Sequence, residues 1–131
     1  MTQLVFYSIT GQTRRFISKL DLPENQVIEI TDDNPLINMT EDYILLVPAY
    51  EDDMMDSVID FLNFENNSAN CIGVAGSGNR NFNTLYNQTA RKIAQGLELP
   101  VIFEYEFNGT EKDVNNFKKV VQEFGTKHTR S

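Results

Sequence analysis

Three short stretches of the chain carry residue types that can hold a small charged molecule. The first, Ser8-Ile9-Thr10-Gly11-Gln12-Thr13, sets a glycine among hydroxyl side chains directly after the apolar run Leu4-Val5-Phe6-Tyr7. At a strand-to-helix junction such a turn points backbone N–H groups and hydroxyls at one spot, which suits a dianionic phosphate. The same residue types also cap helices that bind nothing. This turn has no lysine, unlike the GxxxxGK[ST] loop that grips a nucleoside triphosphate, and no GxGxxG, so a monophosphate fits better than a triphosphate or a dinucleotide. The second stretch is Pro48-Ala49-Tyr50-Glu51-Asp52-Asp53. Here Tyr50 can stack on a flat heteroaromatic ring or cover the edge of a sheet, and position alone leaves both readings open. In the third, Gly76-Ser77-Gly78-Asn79-Arg80-Asn81-Phe82, the glycines and Asn79 let backbone run close to a ring and offer N–H and C=O to its polar edge. Phe82 is either a second ring contact or the first core residue of the next helix.

The elements that must position these loops alternate between apolar runs and helical patterns, as parallel βαβ units do. Leu4 to Tyr7 reads as strand one. Thr13, Phe16, Ile17 and Leu20 form a helical stripe that leaves Arg14, Arg15 and Lys19 on other faces and stops before Leu22-Pro23. Gln26 to Ile30 alternates like an edge or half-covered strand, and the stretch from Thr31 to Thr40 shows no helical face, so the second crossover is expected to be short or irregular. Tyr43 to Val47 is apolar throughout and broken by Pro48, which reads as a central strand buried on both faces. Met55, Val58, Ile59 and Leu62 give the stripe of the next helix. Ile72 to Ala75 is a short strand leading into the Gly76 to Phe82 loop. A helix over about Asn83 to Leu97 turns Tyr86, Thr89, Ala90, Ile93, Ala94 and Leu97 inward, and Pro100 separates it from the strand Val101 to Phe107. The closing helix begins with a capping box, Thr110 with Asp113, and sets Val114, Phe117, Val121 and Phe124 on one face.

The expected fold is therefore α/β: a doubly wound five-stranded parallel sheet in the order 2-1-3-4-5 with helices on both faces. It would form one domain over residues 1–125 with a tail at 126–131. In that order a crevice opens where the winding reverses, at the carboxyl ends of strands one and three. The three loops follow strands one, three and four, so they meet at one end of the sheet. That convergence favours a bound monophosphate over a simple helix cap.

Totals narrow the partners. The chain has 131 residues and a formal net charge of −8, which disfavours nucleic acid and anionic membranes. Met1-Thr2-Gln3 enters a strand without a basic or long apolar leader, and the expected location is the cytoplasm. The single cysteine, Cys71, excludes an internal disulfide or CxxC pair and reads as a buried core thiol. The single histidine, His128, lies far from the loops, so histidine chemistry has no basis. Glu51, Asp52, Asp53, Asp56 and Asp60 read as a solvated acidic face, and no metal is expected. A receiver domain would need a carboxylate cluster after strand one, and a low-molecular-weight phosphatase a cysteine in the first loop. Neither is present. A phosphate on the first loop and a ring between the other two describe a mononucleotide, with flavin mononucleotide (FMN) the best candidate.

The motif Ser8-x-Thr10-Gly11-x-Thr13, taken with the run Gly76-Ser77-Gly78-Asn79-Arg80-Asn81-Phe82, resembles the flavodoxin-like NrdI family over nearly the whole chain. The first motif is shared with flavodoxins generally, whereas Gly-Asn-Arg-Asn-Phe is more specific to NrdI. The resemblance implies FMN, with Ser8, Ile9, Thr10, Gly11, Gln12 and Thr13 at the phosphate. It places Pro48, Ala49 and Tyr50 and the loop of Ser77, Gly78, Asn79, Asn81 and Phe82 around the isoalloxazine. Arg80 would face the partner or the flavin edge, or stand as an ordinary solvated arginine. The resemblance further implies a task. Reduced FMN, refilled by an unidentified flavin-reducing donor, passes electrons to O₂. The superoxide-level oxidant then reaches the dimanganese small subunit of a class Ib ribonucleotide reductase and assembles its tyrosyl radical. That role is an activase's rather than a turnover enzyme's. The alternatives are a general flavodoxin-type electron carrier and a cofactor-free binding module on the same scaffold. One departure stands out: the segment Ala49 to Met54 lacks the glycine common in the family, so a weakly stabilised one-electron-reduced flavin is expected.

Overall fold

Alternate residues of a strand face opposite ways, and in this chain that alternation divides the apolar residues between two cores. The computed structural model describes residues 2–8, 11–48, 56–78, 88–106 and 110–128. Its strands are β1 (Gln3–Tyr7), β2 (Val27–Ile30), β3 (Tyr43–Pro48), β4 (Cys71–Gly78) and β5 (Val101–Glu106). They form one sheet in the order β2-β1-β3-β4-β5, and every neighbouring pair is parallel. The helices are α1 (Gln12–Leu20), α2 (Asp56–Asn63), α3 (Asn67–Asn70), α4 (Gln88–Leu97) and α5 (Glu111–His128).

Val5 and Tyr7 of β1, with Tyr43, Leu45 and Val47 of β3, face one core beneath α2 and α4. Leu4, Phe6, Ile44 and Leu46 face the other, beneath α1 and α5. All six residues of β3 are buried, as a strand covered on both faces requires. β2 is the edge strand, and only Ile30 of its four residues is fully buried. Phe16 of α1 stacks on Tyr105 of β5 with ring centroids 3.9 Å apart and meets Phe117 of α5 at 5.6 Å. The stripe expected for α1 is the buried one, comprising Thr13, Phe16, Ile17 and Leu20. Asp21 ends α1 in the left-handed region (φ 52°), just ahead of Leu22-Pro23.

The capping box of α5 is formed as expected, with Thr110 N–H donating to Asp113 Oδ2 (2.9 Å) and Asp113 N–H donating to Thr110 Oγ1 (3.1 Å). The helix then continues past Gly125 to His128, so residues 126–128 are helical.

Two local expectations are corrected. In α2 the inward residues are Ser57, Val58, Phe61 and Leu62, while Ile59 is 50% exposed. The helix is rotated because Phe61 buries more apolar surface than Ile59 would and meets Tyr43 edge-on at 5.6 Å. Met55 lies outside the described residues. Gly76, Ser77 and Gly78 are not loop but the last residues of β4. β3 pairs with this stretch on one side, through Val47 and Pro48, and β5 on the other, through Glu104 to Glu106. Hydrogen bonding along both edges outweighs the low strand propensity of glycine.

The second crossover, residues 31–42, has no helix, in line with its sequence. It is fastened by Asn67, which is 0% exposed. The Asn67 amide donates to Ile37 O (2.8 Å) and Phe61 O (2.7 Å), and its Oδ1 accepts from Met39 N–H (2.7 Å). Tyr43 OH donates to the Asn67 carbonyl at 2.6 Å. No periodicity in the sequence marks Asn67 as a buried amide.

Candidate functional site

Because the strands are parallel, their carboxyl ends share one rim, and β1, β3 and β4 are adjacent there. Phe6 pairs with Leu46 and Leu46 with Ala75, which puts the three strands in one row two positions before Ser8, Pro48 and Ser77. The three loops singled out in the sequence therefore leave from neighbouring points on one rim.

At the first loop, Gly11 precedes α1 with φ 89°, a left-handed conformation that L side chains rarely adopt. Among the described residues a Cβ there would meet only Arg14 Nη1, at 4.0 Å, so the backbone angle is what calls for glycine. Gly11 N–H donates to Ser8 Oγ at 3.1 Å, which closes the turn, and Arg15 N–H returns to Gly11 O at 3.0 Å. No side chain caps α1 and its first turn holds no acid, whereas α5 has both a capping box and acidic residues there. Within its own first turn, α1 thus places no carboxylate against its positive dipole end. Arg14 turns away to Glu29 of β2 in a two-pronged pair whose Nε–Oε1 distance is 3.2 Å. An anion held here would rest on N–H groups and hydroxyls, the donor set expected for a monophosphate. Thr13 belongs to this turn but is 2% exposed and also packs inward.

Pro48 is buried at the end of β3, paired with Ser77. Ser77 and Gly78 bring β4 to the rim as strand, so the third loop begins at residue 79. Ile9, Thr10, Ala49, Tyr50, Asn79, Arg80, Asn81 and Phe82 lie outside the described residues.

A polar cluster on the same rim was not foreseen. Asp32 follows β2, and its Oδ1 accepts from Tyr7 OH at 2.6 Å and from Ser57 Oγ at 2.6 Å. These hydrogen bonds hold the Asp32 carboxyl below the usual range, with Ser57 contributing most. Burial, reinforced by the Asp32 carboxylate, pushes the Tyr7 phenol up to about 12. The sequence showed Tyr7 only as the last residue of a strand, and nothing in it linked positions 7, 32 and 57.

Among the described residues no group of three or more His, Cys, Asp or Glu could hold a metal ion, and no helix is long and apolar enough to cross a membrane. Cys71 is buried, as expected.

The chain is similar to known proteins along its whole length. The family described as "NrdI Flavodoxin like" matches residues 4–119. A protein named NrdI from Salmonella gallinarum is 37% identical over 136 residues, covering 100% of this chain and 99% of that protein. Another, from Escherichia coli O139:H28, is 38% identical over 130 residues, covering 95% and 94%. Among solved structures, a short-chain flavodoxin associated with a PDU bacterial microcompartment superposes with TM-score 0.64 at 17% identity over 98% of each chain. The Streptococcus pneumoniae TIGR4 flavodoxin does so with TM-score 0.61 at 20% identity, covering 96% of this chain and 98% of that one. Those two likenesses speak to the fold, and the sequence match speaks to descent: the chain belongs to the NrdI flavodoxin-like family.

Proposed function

We propose that this protein binds FMN at the rim where β1, β3 and β4 end and, when reduced, activates the dimanganese small subunit of a class Ib ribonucleotide reductase in the cytoplasm. The observation that carries the reading is the Gly11 turn. Its left-handed backbone opens an α1 N-terminus whose own first turn carries no acid, at the switch point of the sheet, in a chain of the NrdI family. Ser8, Ile9, Thr10, Gly11, Gln12 and Thr13 would hold the phosphate. Pro48, Ala49 and Tyr50 would flank the ring on one side, with Ser77, Gly78, Asn79, Asn81 and Phe82 on the other and Arg80 toward the partner.

When bound and reduced by a donor still to be identified, FMN would supply one electron to O₂, giving superoxide as the oxidant. The chain's own residues bind and orient. The α1 N–H groups meet negative charge with a dipole already in place. The paired ends of β3 and β4 fix where the second and third loops start. The residues of those loops would cover the ring and shield it from water.

Titrating the purified protein with FMN tests the first half, and stoichiometric binding with a shifted flavin absorbance is expected. No uptake of FMN would leave only a cofactor-free binding module. The second half is tested by adding the reduced, loaded protein and O₂ to a dimanganese small subunit. Appearance of the tyrosyl radical is expected, and its absence would leave a general electron carrier.

A further inference from the structure

We propose that Asp32 is a positioning residue for the cofactor site, locking the base of the first loop to the far end of the second. The inference rests on the FMN reading above. One carboxylate oxygen accepts both the Tyr7 and the Ser57 hydroxyls, each at 2.6 Å, short for O–H···O and charge-assisted. Tyr7 immediately precedes Ser8, and Ser57 is the second residue of α2, which receives the chain from the loop containing Tyr50. Asp32 itself is exposed and leaves the edge strand directly after Ile30 and Thr31. The exits of β1 and β2, already paired through Tyr7 and Ile30, are thereby tied to the start of α2 by a single acceptor.

Tyr7 is 5% exposed and Ser57 8%, so each residue has little surface open to water, and their hydroxyls meet at the Asp32 carboxylate. Deleting it leaves two nearly buried donors to find new partners, and the simplest response is a shift of β1's exit against the start of α2. Those are the two walls between which a phosphate-to-ring spacing would be set. A displacement of a fraction of an ångström there changes how well a rigid ligand can touch both loops at once. Tyr7 also faces the core that holds the fully buried Val5, Leu45 and Phe61, so the thermal midpoint is read beside the affinity.

The test compares Asp32→Ala, Asp32→Asn and the double variant Tyr7→Phe/Ser57→Ala in the full chain. Three quantities are read: FMN affinity by flavin fluorescence, visible circular dichroism of the bound flavin, and the thermal midpoint of the flavin-free protein. Asp32→Ala is expected to weaken FMN about tenfold and to alter the flavin dichroism. Asp32→Asn keeps an acceptor oxygen in place and should stay within about twofold of wild type on the same scale. The double variant should match Asp32→Ala, and adding Asp32→Ala to it should cost nothing more, because the three groups act as a unit. Should Asp32→Ala not fold, Tyr7→Phe and Ser57→Ala alone carry the comparison. Unchanged affinity and dichroism in Asp32→Ala would overturn the proposal, as would a lowered thermal midpoint with no change in affinity. An Asp32→Asn variant as weak as Asp32→Ala would overturn it too, since charge and not geometry would then be at work. Failure of the wild-type chain itself to take up FMN removes the functional reading and this proposal together. Wild-type binding with Asp32→Ala unaffected removes this proposal alone.

Discussion

Three backbone groups, Met39 N–H, Ile37 C=O and Phe61 C=O, end on the side chain of Asn67, and the bonds to Met39 and Phe61 are buried. Truncating it to alanine strands Met39 N–H, while Phe61 C=O keeps Phe64 N–H as a donor at 3.2 Å, and leaving a buried polar group unpaired costs about 1–3 kcal/mol before relaxation. Asn67→Ala is therefore expected to lose about 2 kcal/mol in urea denaturation, above the usual surface substitution. A loss below about 1 kcal/mol would mean that the crossover finds other partners. Cys71 makes the opposite kind of contribution. Burial pushes its thiol up to about 11, above the ordinary value, so the folded chain holds this proton more tightly than the unfolded one. The linked stability is fully present below the unfolded thiol's pKa and is lost as pH rises through about 11. At pH 8 the native thiol should resist a disulfide reagent that labels it readily in denaturant, and fast labelling of the native protein would contradict its burial.

Among the helices, α1 and α5 start in different ways, and the difference can be tested. α5 satisfies its first N–H groups with its own side chains, while α1 begins from a left-handed glycine and leaves them for something else. Gly11→Ala should cost about 1–2 kcal/mol through backbone strain alone, because the added methyl has room. Gly11→Asn should cost less, since asparagine visits the left-handed region more readily. Equal losses for the two in thermal melts would point to crowding rather than to φ. The same scale shows where sequence periodicity reached its limit. It identified the inward stripe of α1, since Phe16, Ile17 and Leu20 have no apolar competitors. In α2, Ile59 and Phe61 offered two overlapping stripes, and the choice was decided by packing against Tyr43, which no pattern within the helix records. Gly76 to Gly78 read as loop because strand propensity is local, whereas their place in β4 comes from partners on two other strands.

For the molecule as a whole, strand order was legible because alternating runs leave few parallel arrangements and β2 and β3 differ plainly in how covered they can be. The rim was legible too, since loops after β1, β3 and β4 must share it. What stayed hidden were side-chain contacts between distant positions: Tyr7 and Ser57 with Asp32, and Asn67 with the crossover. Their residue types are common on any surface, and only the fold brings them together. The Asn67 anchor also bears on the order in which the chain can assemble. It lies 28 residues downstream of Met39 and 30 downstream of Ile37, the groups that it holds. A chain leaving the ribosome has β1, α1, β2 and β3 in hand before Ile37 and Met39 meet the side chain that holds them. Until α3 emerges, that connection is a slack tether between two strands that can already pair on either side of β1. The early sheet is thus free to choose its neighbours by pairing and burial, and the connection from β2 to β3 is anchored only when α3 emerges, just ahead of β4.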